Sequence, residues 1–192
     1  IPQTPSNEVR LYCSKSNPPR NQNLEFRRRA QLEAEVLLAH YLNVSRSWIA
    51  GHPEEYLSEP ILASYNNSLR RRTSGEPLPY LLGYWEFFGI SFAVDKRALI
   101  PRPETEQMIT ILQQFKLSFN SCLEIGIGSG CISLTLCLEN IAKHIIGSDI
   151  SLKCLEVAQI NKANYNVNNL ILLEHDILIN SFDQKFDLLL LP

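Results

Sequence analysis

The stretch Cys-Leu-Glu-Ile-Gly-Ile-Gly-Ser-Gly at residues 122–130 is an apolar segment that runs directly into three closely spaced glycines. A second apolar segment, His-Ile-Ile-Gly-Ser-Asp at 144–149, ends in Asp149 about 20 residues later. A strand, a glycine loop, a helix and a second strand with a terminal acidic residue are the parts of a nucleotide-binding βαβ unit. The bare glycine backbone would let an adenosyl ligand approach closely, and Asp149 could accept hydrogen bonds from both ribose hydroxyls. The stretch therefore predicts a parallel α/β sheet with a nucleotide site at this loop.

The spacing of the glycines separates two classes of cofactor. A dinucleotide-binding loop has the pattern Gly-x-Gly-x-x-Gly, whereas here Gly126, Gly128 and Gly130 alternate with other residues, and Cys131 stands where the third dinucleotide glycine would fall. The compact glycine pattern and the acidic Glu124, two positions before the first glycine, resemble the S-adenosylmethionine loop of class I methyltransferases. A glycine-rich turn that binds no ligand is the alternative.

The pattern of proline, glycine and apolar residues divides the chain into four segments. Residues 1–23 are polar and proline-rich and are predicted to be irregular. Helical spacing predicts a small all-α domain at 24–74, and two apolar runs separated by Gly89 predict a linker with a β-hairpin at 75–103. Strands that alternate with helices at 104–192 predict one half of a parallel α/β domain.

Local signals predict the individual elements. The predicted helices are 24–42, a short one around Trp48 and Ile49, one capped by Ser58 with Pro60 in its first turn, one with Pro103 in its first turn, 131–138 and 152–165; the predicted strands of the parallel sheet are 122–125, 145–149, 170–173 and 186–191. The stretch 72–83, which carries two prolines and two glycines, is predicted to be a linker.

Composition excludes several classes of protein. A hydrophobic content of 45% is that of a globular chain, and a net charge of −2 gives no overall attraction for nucleic acid. The triplets Arg27–Arg29 and Arg70–Arg72 are either local polyanion contacts or solvated helix faces. No apolar stretch is long enough to span a membrane.

The cysteines and histidines predict no metal site. The five cysteines form no Cys-x-x-Cys pair, and the four histidines are scattered. Cys122 and Cys131, beside the glycine loop, are predicted to be small buried apolar residues. The odd number of cysteines indicates a reducing compartment.

Further motifs lie upstream of the glycine loop. They are Gly75-Glu-Pro77, Tyr80, Gly83, Glu86-Phe87 and the run Ile-Pro-Arg-Pro-Glu-Thr-Glu at 100–106. Together with 123–130 they closely resemble the HemK/PrmC family of release factor glutamine methyltransferases, over about residues 24–191. The run at 100–106 is the discriminating part, because generic methyltransferases share only the glycine loop. The resemblance implies a class I S-adenosylmethionine-dependent methyltransferase fold, Rossmann-like and here with an incomplete sheet, preceded by the all-α domain and the hairpin linker.

The resemblance also implies an activity. Such enzymes transfer a methyl group from S-adenosylmethionine to the side-chain nitrogen of the glutamine in the Gly-Gly-Gln loop of class 1 peptide-chain release factors. An Asn-Pro-Pro-Tyr motif after the fourth strand holds the amide and aims its nitrogen at the methyl group, so that catalysis is mostly positioning and desolvation. The implied partners are release factors, with nucleic acid only indirectly. The implied location is the bacterial cytoplasm or, alternatively, a mitochondrial or plastid matrix.

The implied site residues surround the cofactor. Gly126, Ile127, Gly128, Ser129 and Gly130 would wrap its methionine and ribose portion, and Glu124, before the loop, would also belong to the cofactor site. Asp149 would hold the ribose, and Asp176 and Ile177 would contact the adenine. Ile177 is equally well explained as a core residue at a strand end. Arg102 and Glu106 would shape the mouth of the pocket.

The sequence departs from the family pattern at its last residue. Phe186–Leu191 matches the strand that leads into Asn-Pro-Pro-Tyr, but Pro192 stands at the asparagine position and has no side-chain amide. The catalytic residues are therefore unknown, and we expect a fragment or truncated product of low or no activity whose last strand is an open edge. Two other functions stay open: an N6-adenine methyltransferase on DNA or RNA, and a non-catalytic module that binds a release factor.

Overall fold

A computed structural model describes residues 24–53 and 55–191 of the 192-residue chain. These residues fall into two units, one up to Leu82 and one from Gly83. The segment 1–23, predicted to be irregular, and Pro192, predicted to stand at an asparagine position, lie outside the described residues. None of the described helices combines the length and the apolar character that a membrane span requires.

The first unit is helical. Its helices are α1 Leu24–Leu42, α2 Arg46–Gly51, α3 Glu59–Thr73 and α4 Leu78–Leu82. Ser45 caps α2 by accepting a hydrogen bond from the Trp48 amide, and Ser58 with Pro60 begins α3, so the three helices predicted here are confirmed. The core of this unit consists of Leu37, Leu38, Ala39, Ile49, Tyr65, Leu81 and Leu82.

Helix α4 lies inside the stretch 72–83 that was predicted to be a linker. Pro79 occupies its first turn, where a missing amide hydrogen costs nothing, and Leu81 and Leu82 are buried in the core of the first unit. A five-residue helix is too short to show a helical period in the sequence. Burial of two leucines therefore decides a local structure that the prolines and glycines alone would leave extended.

The second unit begins with a hairpin. Strands β1 Tyr84–Phe87 and β2 Ile90–Ala93 pair antiparallel, with Phe87 opposite Ile90. Phe88 and Gly89 form the turn with φ values of 54° and 71°, the left-handed conformation that a two-residue hairpin turn requires. The predicted hairpin is confirmed. The helix α5 Pro103–Gln114 follows and begins at the predicted proline.

A parallel sheet forms the rest of this unit. Its elements are β3 Phe119–Ile125, α6 Cys131–Leu138, β4 Ala142–Asp149, α7 Leu152–Asn164, β5 Leu170–Glu174 and β6 Leu188–Leu190. The strands lie in the order β5-β4-β3-β6 and are all parallel. From β3 the chain moves outward through β4 to β5 and then returns to place β6 on the other side of β3. Ligands bind outside the carboxyl ends of the strands at such a switch point. The fold is that of a class I methyltransferase, as predicted.

Strand β3 is three residues longer at its start than predicted. Asn120 and Ser121 are polar, but the Asp187 carboxylate accepts hydrogen bonds from both of their amides, at 2.9 and 3.0 Å. Asp187 precedes β6, and its own amide donates to the Ser121 carbonyl at 2.9 Å. A contact between segments 66 residues apart therefore extends the strand beyond its apolar run.

Candidate functional site

The glycine loop connects the end of β3 to the start of α6. Gly126, Gly128 and Gly130 have φ values of 79°, 57° and 81°, in the left-handed region that favours glycine. The amides of Gly126 and Ile127 both donate to the Ser148 carbonyl of β4, at 2.8 and 2.9 Å. The loop is therefore bonded to the neighbouring strand over its first two residues.

Asp149, at the end of β4, faces this loop as the spacing predicts. Its Oδ2 accepts a hydrogen bond from the Gly128 amide at 3.1 Å, and its Oδ1 accepts one from the Ser151 amide at 2.9 Å. A carboxylate has about four acceptor positions, so each oxygen keeps one for a ligand hydroxyl. The side chain thus joins the loop to the start of α7 and retains the capacity to hold a diol.

Glu124 is buried beneath the loop. Its carboxylate accepts hydrogen bonds from the Ser133 amide, at 3.0 Å, and from the Ser133 hydroxyl, in the first turn of α6. Burial raises the pKa of Glu124 to about 7, although the two hydrogen bonds from Ser133 lower it. The negative charge of Asp149 adds to the rise. The carboxyl group therefore ties the end of β3 to the N-terminus of α6.

Ile127 and Gly130 fix the loop from the core side. The Ile127 side chain is buried across Gly147 of β4, where a Cβ atom would come within 2.0 Å of the Ile127 Cδ1. A Cβ atom on Gly130 would lie 3.2 Å from the Cβ of Ala158 in α7 and 3.3 Å from the Cδ1 of Leu134 in α6. Both contacts show that the loop packs closely against β4, α6 and α7.

Asn161 of α7 was not predicted to be a site residue. Its Oδ1 accepts a hydrogen bond from the Ala93 amide at 2.7 Å, and its Nδ2 donates to the carbonyls of Ala93 and Ser129, both at 2.9 Å. The side chain is fully buried. The signal in the sequence is an amide three residues after the apolar Ala158, on the buried face of the helix.

A cavity of about 470 Å³ opens between the glycine loop and the segment before α5. Its lining residues are Phe87, Leu99, Ile100, Pro101, Arg102, Glu104, Thr105, Glu124, Gly126, Ile127, Gly128, Ser129, Cys131 and Ile132. The structure thus brings the run at 100–106 against the glycine loop, although the two are well separated in sequence. Arg102 lines the cavity as expected, whereas Glu106 is not among the lining residues and Glu104 is.

Asp176 and Ile177 follow β5 and do not line this cavity. Asp176 accepts a hydrogen bond from the Leu178 amide at 2.9 Å, and the Ile177 side chain is 41% exposed. The neighbouring His175 amide donates to the Asp149 carbonyl at 3.1 Å. The two residues therefore lie at the same edge of the sheet as Asp149, and their contact with an adenine ring stays a prediction.

The thiols beside the loop are buried. Desolvation raises the pKa of Cys122 to about 11 and that of Cys131 to about 12, so both stay protonated at neutral pH. Within residues 24–53 and 55–191, no three His, Cys, Asp or Glu side chains come together as metal ligands would.

Ion pairs in the first unit occupy several of the arginines considered for polyanion contact. Arg72 of α3 binds Glu33 of α1 through two nitrogens at 2.7 and 3.1 Å, and Arg71 binds Glu76 at 2.7 and 2.6 Å. Arg29 also contacts Glu33, at 3.3 Å. The Arg72 guanidinium holds the pKa of Glu33 below its ordinary value. Both triplets are therefore partly neutralised.

Two domain families match the chain. Residues 22–83 match the family model of the PrmC N-terminal domain, and residues 104–191 match that of the methyltransferase small domain.

A solved structure of a ribosomal protein L11 methylase from Lactobacillus delbrueckii subsp. bulgaricus is similar to part of this chain. It has 24% sequence identity and a TM-score of 0.42, and the match covers 51% of this chain and 50% of that one.

Curated relatives match across both units. The release factor glutamine methyltransferase of Aliivibrio fischeri is 36% identical over 140 residues, which are 72% of this chain and 49% of the relative. That of Buchnera aphidicola is 40% identical over 138 residues, 71% of this chain and 50% of the relative. A bifunctional methyltransferase of Rickettsia bellii is 31% identical over an alignment 188 residues long, which covers 83% of this chain and 34% of the relative. The chain spans half or less of the length of these relatives.

Proposed function

Because this chain belongs to the HemK/PrmC family, as its PrmC N-terminal domain at 22–83 and its release factor glutamine methyltransferase relatives show, we propose that the whole protein methylates peptide-chain release factors. The methyl donor is S-adenosylmethionine, and the acceptor is the side-chain nitrogen of the glutamine in the Gly-Gly-Gln loop. The cavity between the glycine loop and the run at 100–106 carries this proposal, because that run distinguishes the family from other methyltransferases and forms one wall of the cavity.

The glycine loop, which lines the cavity, and Asp149, which contacts the loop from outside the cavity lining, both fit the cofactor. A Cβ atom on Gly126 would meet no atom within 4 Å, so the loop backbone is open to a ligand on that side. Asp149 has one acceptor position left on each carboxylate oxygen, which suits the two ribose hydroxyls. The volume of about 470 Å³ lies within the range of small-molecule sites, roughly 300–1,000 Å³. We assign the ribose to Asp149, the methionine portion to the loop 126–130, and the adenine to the side of Asp176 and Ile177.

In this mechanism the protein positions the reactants. The bound cofactor supplies an electrophilic methyl group on a sulfonium centre. The glutamine amide is a poor nucleophile because its lone pair is delocalised into the carbonyl, so its nitrogen must be held in line with the methyl group and away from water. Leu190 of β6 pairs with Glu124 of β3, so the chain leaves β6 at the carboxyl edge of the sheet next to the glycine loop. A motif that holds the amide would act from this point in the whole protein.

The test is methyl transfer from labelled S-adenosylmethionine to a release factor. Two proteins are compared: this chain, and the same chain extended past Leu191 by Asn-Pro-Pro-Tyr and the remaining part of the Aliivibrio fischeri relative. We expect the extended protein to label the release factor, and to fail with a factor whose Gly-Gly-Gln glutamine is alanine. The variant Asp149→Asn of the extended protein controls for the cofactor site and should require much more cofactor.

The same assay separates the other two functions. Transfer of label to adenine in DNA or RNA, with none to the release factor, would replace the proposed substrate by a nucleic acid. Binding of the release factor without transfer by a folded extended protein would indicate a non-catalytic module. The ion pairs of Arg29, Arg71 and Arg72 favour the protein substrate, because they leave fewer cations for a phosphate backbone.

A further inference from the structure

Helix α7 and the residue after it are bonded at several points to the chain that leads from β2 to one wall of the cavity. Tyr165, just after the helix, donates its hydroxyl hydrogen to the Ser91 carbonyl in β2. Glu156 accepts a hydrogen bond from Arg97 at 2.7 Å, and the Cys154 thiol donates to the Arg97 carbonyl at 3.1 Å. The chain from β2 to Arg97 therefore runs along α7 before it enters the cavity wall at Leu99.

Asn161 differs from these contacts because it bonds the glycine loop, which lines the cavity, as well as the end of β2. Its side-chain amide accepts a hydrogen bond from the N–H of Ala93, at the end of β2, and donates one to the C=O of the same residue. The second hydrogen of the side-chain NH2 group is donated to the carbonyl of Ser129 in the glycine loop. One acceptor and two donors on a single short side chain are required, and asparagine supplies them. An ionised aspartate has no donor, and an aliphatic residue would leave the buried carbonyl of Ser129 and the part-buried N–H and C=O of Ala93 without this partner.

We infer that Asn161 is a positioning residue of the cofactor site: it holds the glycine loop and the hairpin at the separation that the cavity requires. This inference rests on the proposed function, because it assumes that the cavity takes S-adenosylmethionine. Asn161 does not line the cavity itself, so it acts through Ser129 and Ala93 rather than by touching the ligand.

The test uses this chain with two variants and a matched control. Asn161→Asp keeps the shape and the acceptor but places an oxygen against the carbonyls of Ala93 and Ser129. Asn161→Ala removes the donors without that repulsion and carries the test if the aspartate variant does not fold. Tyr165→Phe is the control, because it removes a hydrogen bond between the α7 region and the hairpin without touching the glycine loop.

Two readouts are taken on folded protein: the Kd for S-adenosylmethionine, and hydrogen exchange of the amides of residues 126–130. We expect the Asn161 variants to raise the Kd about tenfold, which corresponds to a loss of roughly 1.4 kcal/mol of binding free energy, and to increase hydrogen exchange in the loop. The control should change the Kd by less than about twofold, with loop exchange as in the wild type.

The two readouts separate the inference from the proposed function. Loop exchange in the Asn161 variants equal to that in Tyr165→Phe would overturn the inference, and so would faster loop exchange with an unchanged Kd. A wild-type chain that does not bind S-adenosylmethionine would instead remove the proposed cofactor. The exchange comparison would then still decide whether Asn161 orders the loop.

Discussion

Gly126 and Gly130 share a left-handed backbone, with φ values of 79° and 81°, but differ in what surrounds them. Replacing either by alanine costs about 1–2 kcal/mol for the conformation alone. Gly130→Ala also places a methyl group 3.2 Å from the Ala158 Cβ, whereas Gly126→Ala meets no atom within 4 Å. We therefore predict that Gly130→Ala lowers the free energy of unfolding by about 1 kcal/mol more than Gly126→Ala does.

For cofactor binding we expect the opposite ranking, with Gly126→Ala the more impaired of the two variants. Gly126 lines the cavity and an added methyl group there would meet no protein atom within 4 Å, so we expect it to take up space that the ligand needs. Gly126→Ala should therefore weaken S-adenosylmethionine binding even though it is the better folded of the two. Urea unfolding and equilibrium dialysis with labelled cofactor measure the two effects separately. Equal losses of stability, or normal binding by folded Gly126→Ala, would contradict this account of the loop.

Glu124 makes stability depend on pH. Its pKa is raised by burial to about 7 in the folded protein, above its ordinary value of 4.5. The folded state therefore favours the protonated acid, and this contribution is fully present below pH 4.5 and is lost as the pH rises through 7. We predict that between pH 5 and 8 the wild type loses about 2 kcal/mol relative to Glu124→Gln, which cannot ionise.

Denaturant unfolding at a series of pH values measures the effect of Glu124. The exposed Glu86, in the hairpin of the same unit, supplies the control Glu86→Gln, which should follow the wild type at every pH. A constant difference between wild type and Glu124→Gln across this pH range would mean that the buried carboxyl group keeps an ordinary pKa.

The loop residues could be predicted from the sequence because the spacing of Gly126, Gly128, Gly130 and Asp149 specifies their relative positions in a βαβ unit. Asn161 could not be assigned a role in the same way. Its partners are backbone groups of Ala93 and Ser129, 68 and 32 residues away, and backbone groups carry no residue-specific signal. A buried amide in a helix indicates a partner but does not identify it.

Helices α1 and α3 are joined by the ion pair between Glu33 and Arg72. It is bidentate and its side chains are only 16% and 29% exposed, whereas the pair between Glu35 and Arg46 has one contact of 3.4 Å and exposures of 32% and 51%. We predict a coupling energy of about 1 kcal/mol for the first pair and less than half of that for the second.

Two double-mutant cycles measure these couplings. They use Glu33→Gln with Arg72→Met, and Glu35→Gln with Arg46→Met. Because the Arg72 guanidinium lowers the pKa of Glu33 below 4.5, its contribution is present above that pH and fades as the pH falls further. Similar couplings for the two pairs, or a coupling for the first pair that does not weaken in acid, would show that the bidentate geometry does not stabilise the unit.

Elements with a clear apolar period were predicted close to their observed bounds, and those that depend on distant contacts were not. Helix α6 matches its predicted range 131–138, because its length and hydrophobicity suffice to identify it. Strand β3 begins at Phe119 rather than at 122 because the Asp187 carboxylate binds two of its amides. Strand β6 is confined to Leu188–Leu190, shorter than the apolar run 186–191, because only these residues pair with β3.

Each of the two units has its own core and its own tryptophan. Trp48 packs against the core of the first unit, and Trp85 lies in the hairpin of the second. The chain has no other tryptophan. Single-tryptophan variants, Trp85→Phe and Trp48→Phe, therefore report the unfolding of one unit at a time.

The cavity lies entirely within the second unit, so ligand binding must stabilise that unit first. At a cofactor concentration of 100 times the Kd, binding to the folded state alone adds about 2.7 kcal/mol to the free energy of unfolding. We predict that S-adenosylmethionine raises the urea midpoint reported by Trp85 accordingly. The midpoint reported by Trp48 should move with it only if the units unfold together. A Trp85 midpoint that stays constant up to millimolar cofactor would show that this chain does not bind it, and would leave the fold without the ligand that the glycine loop predicts.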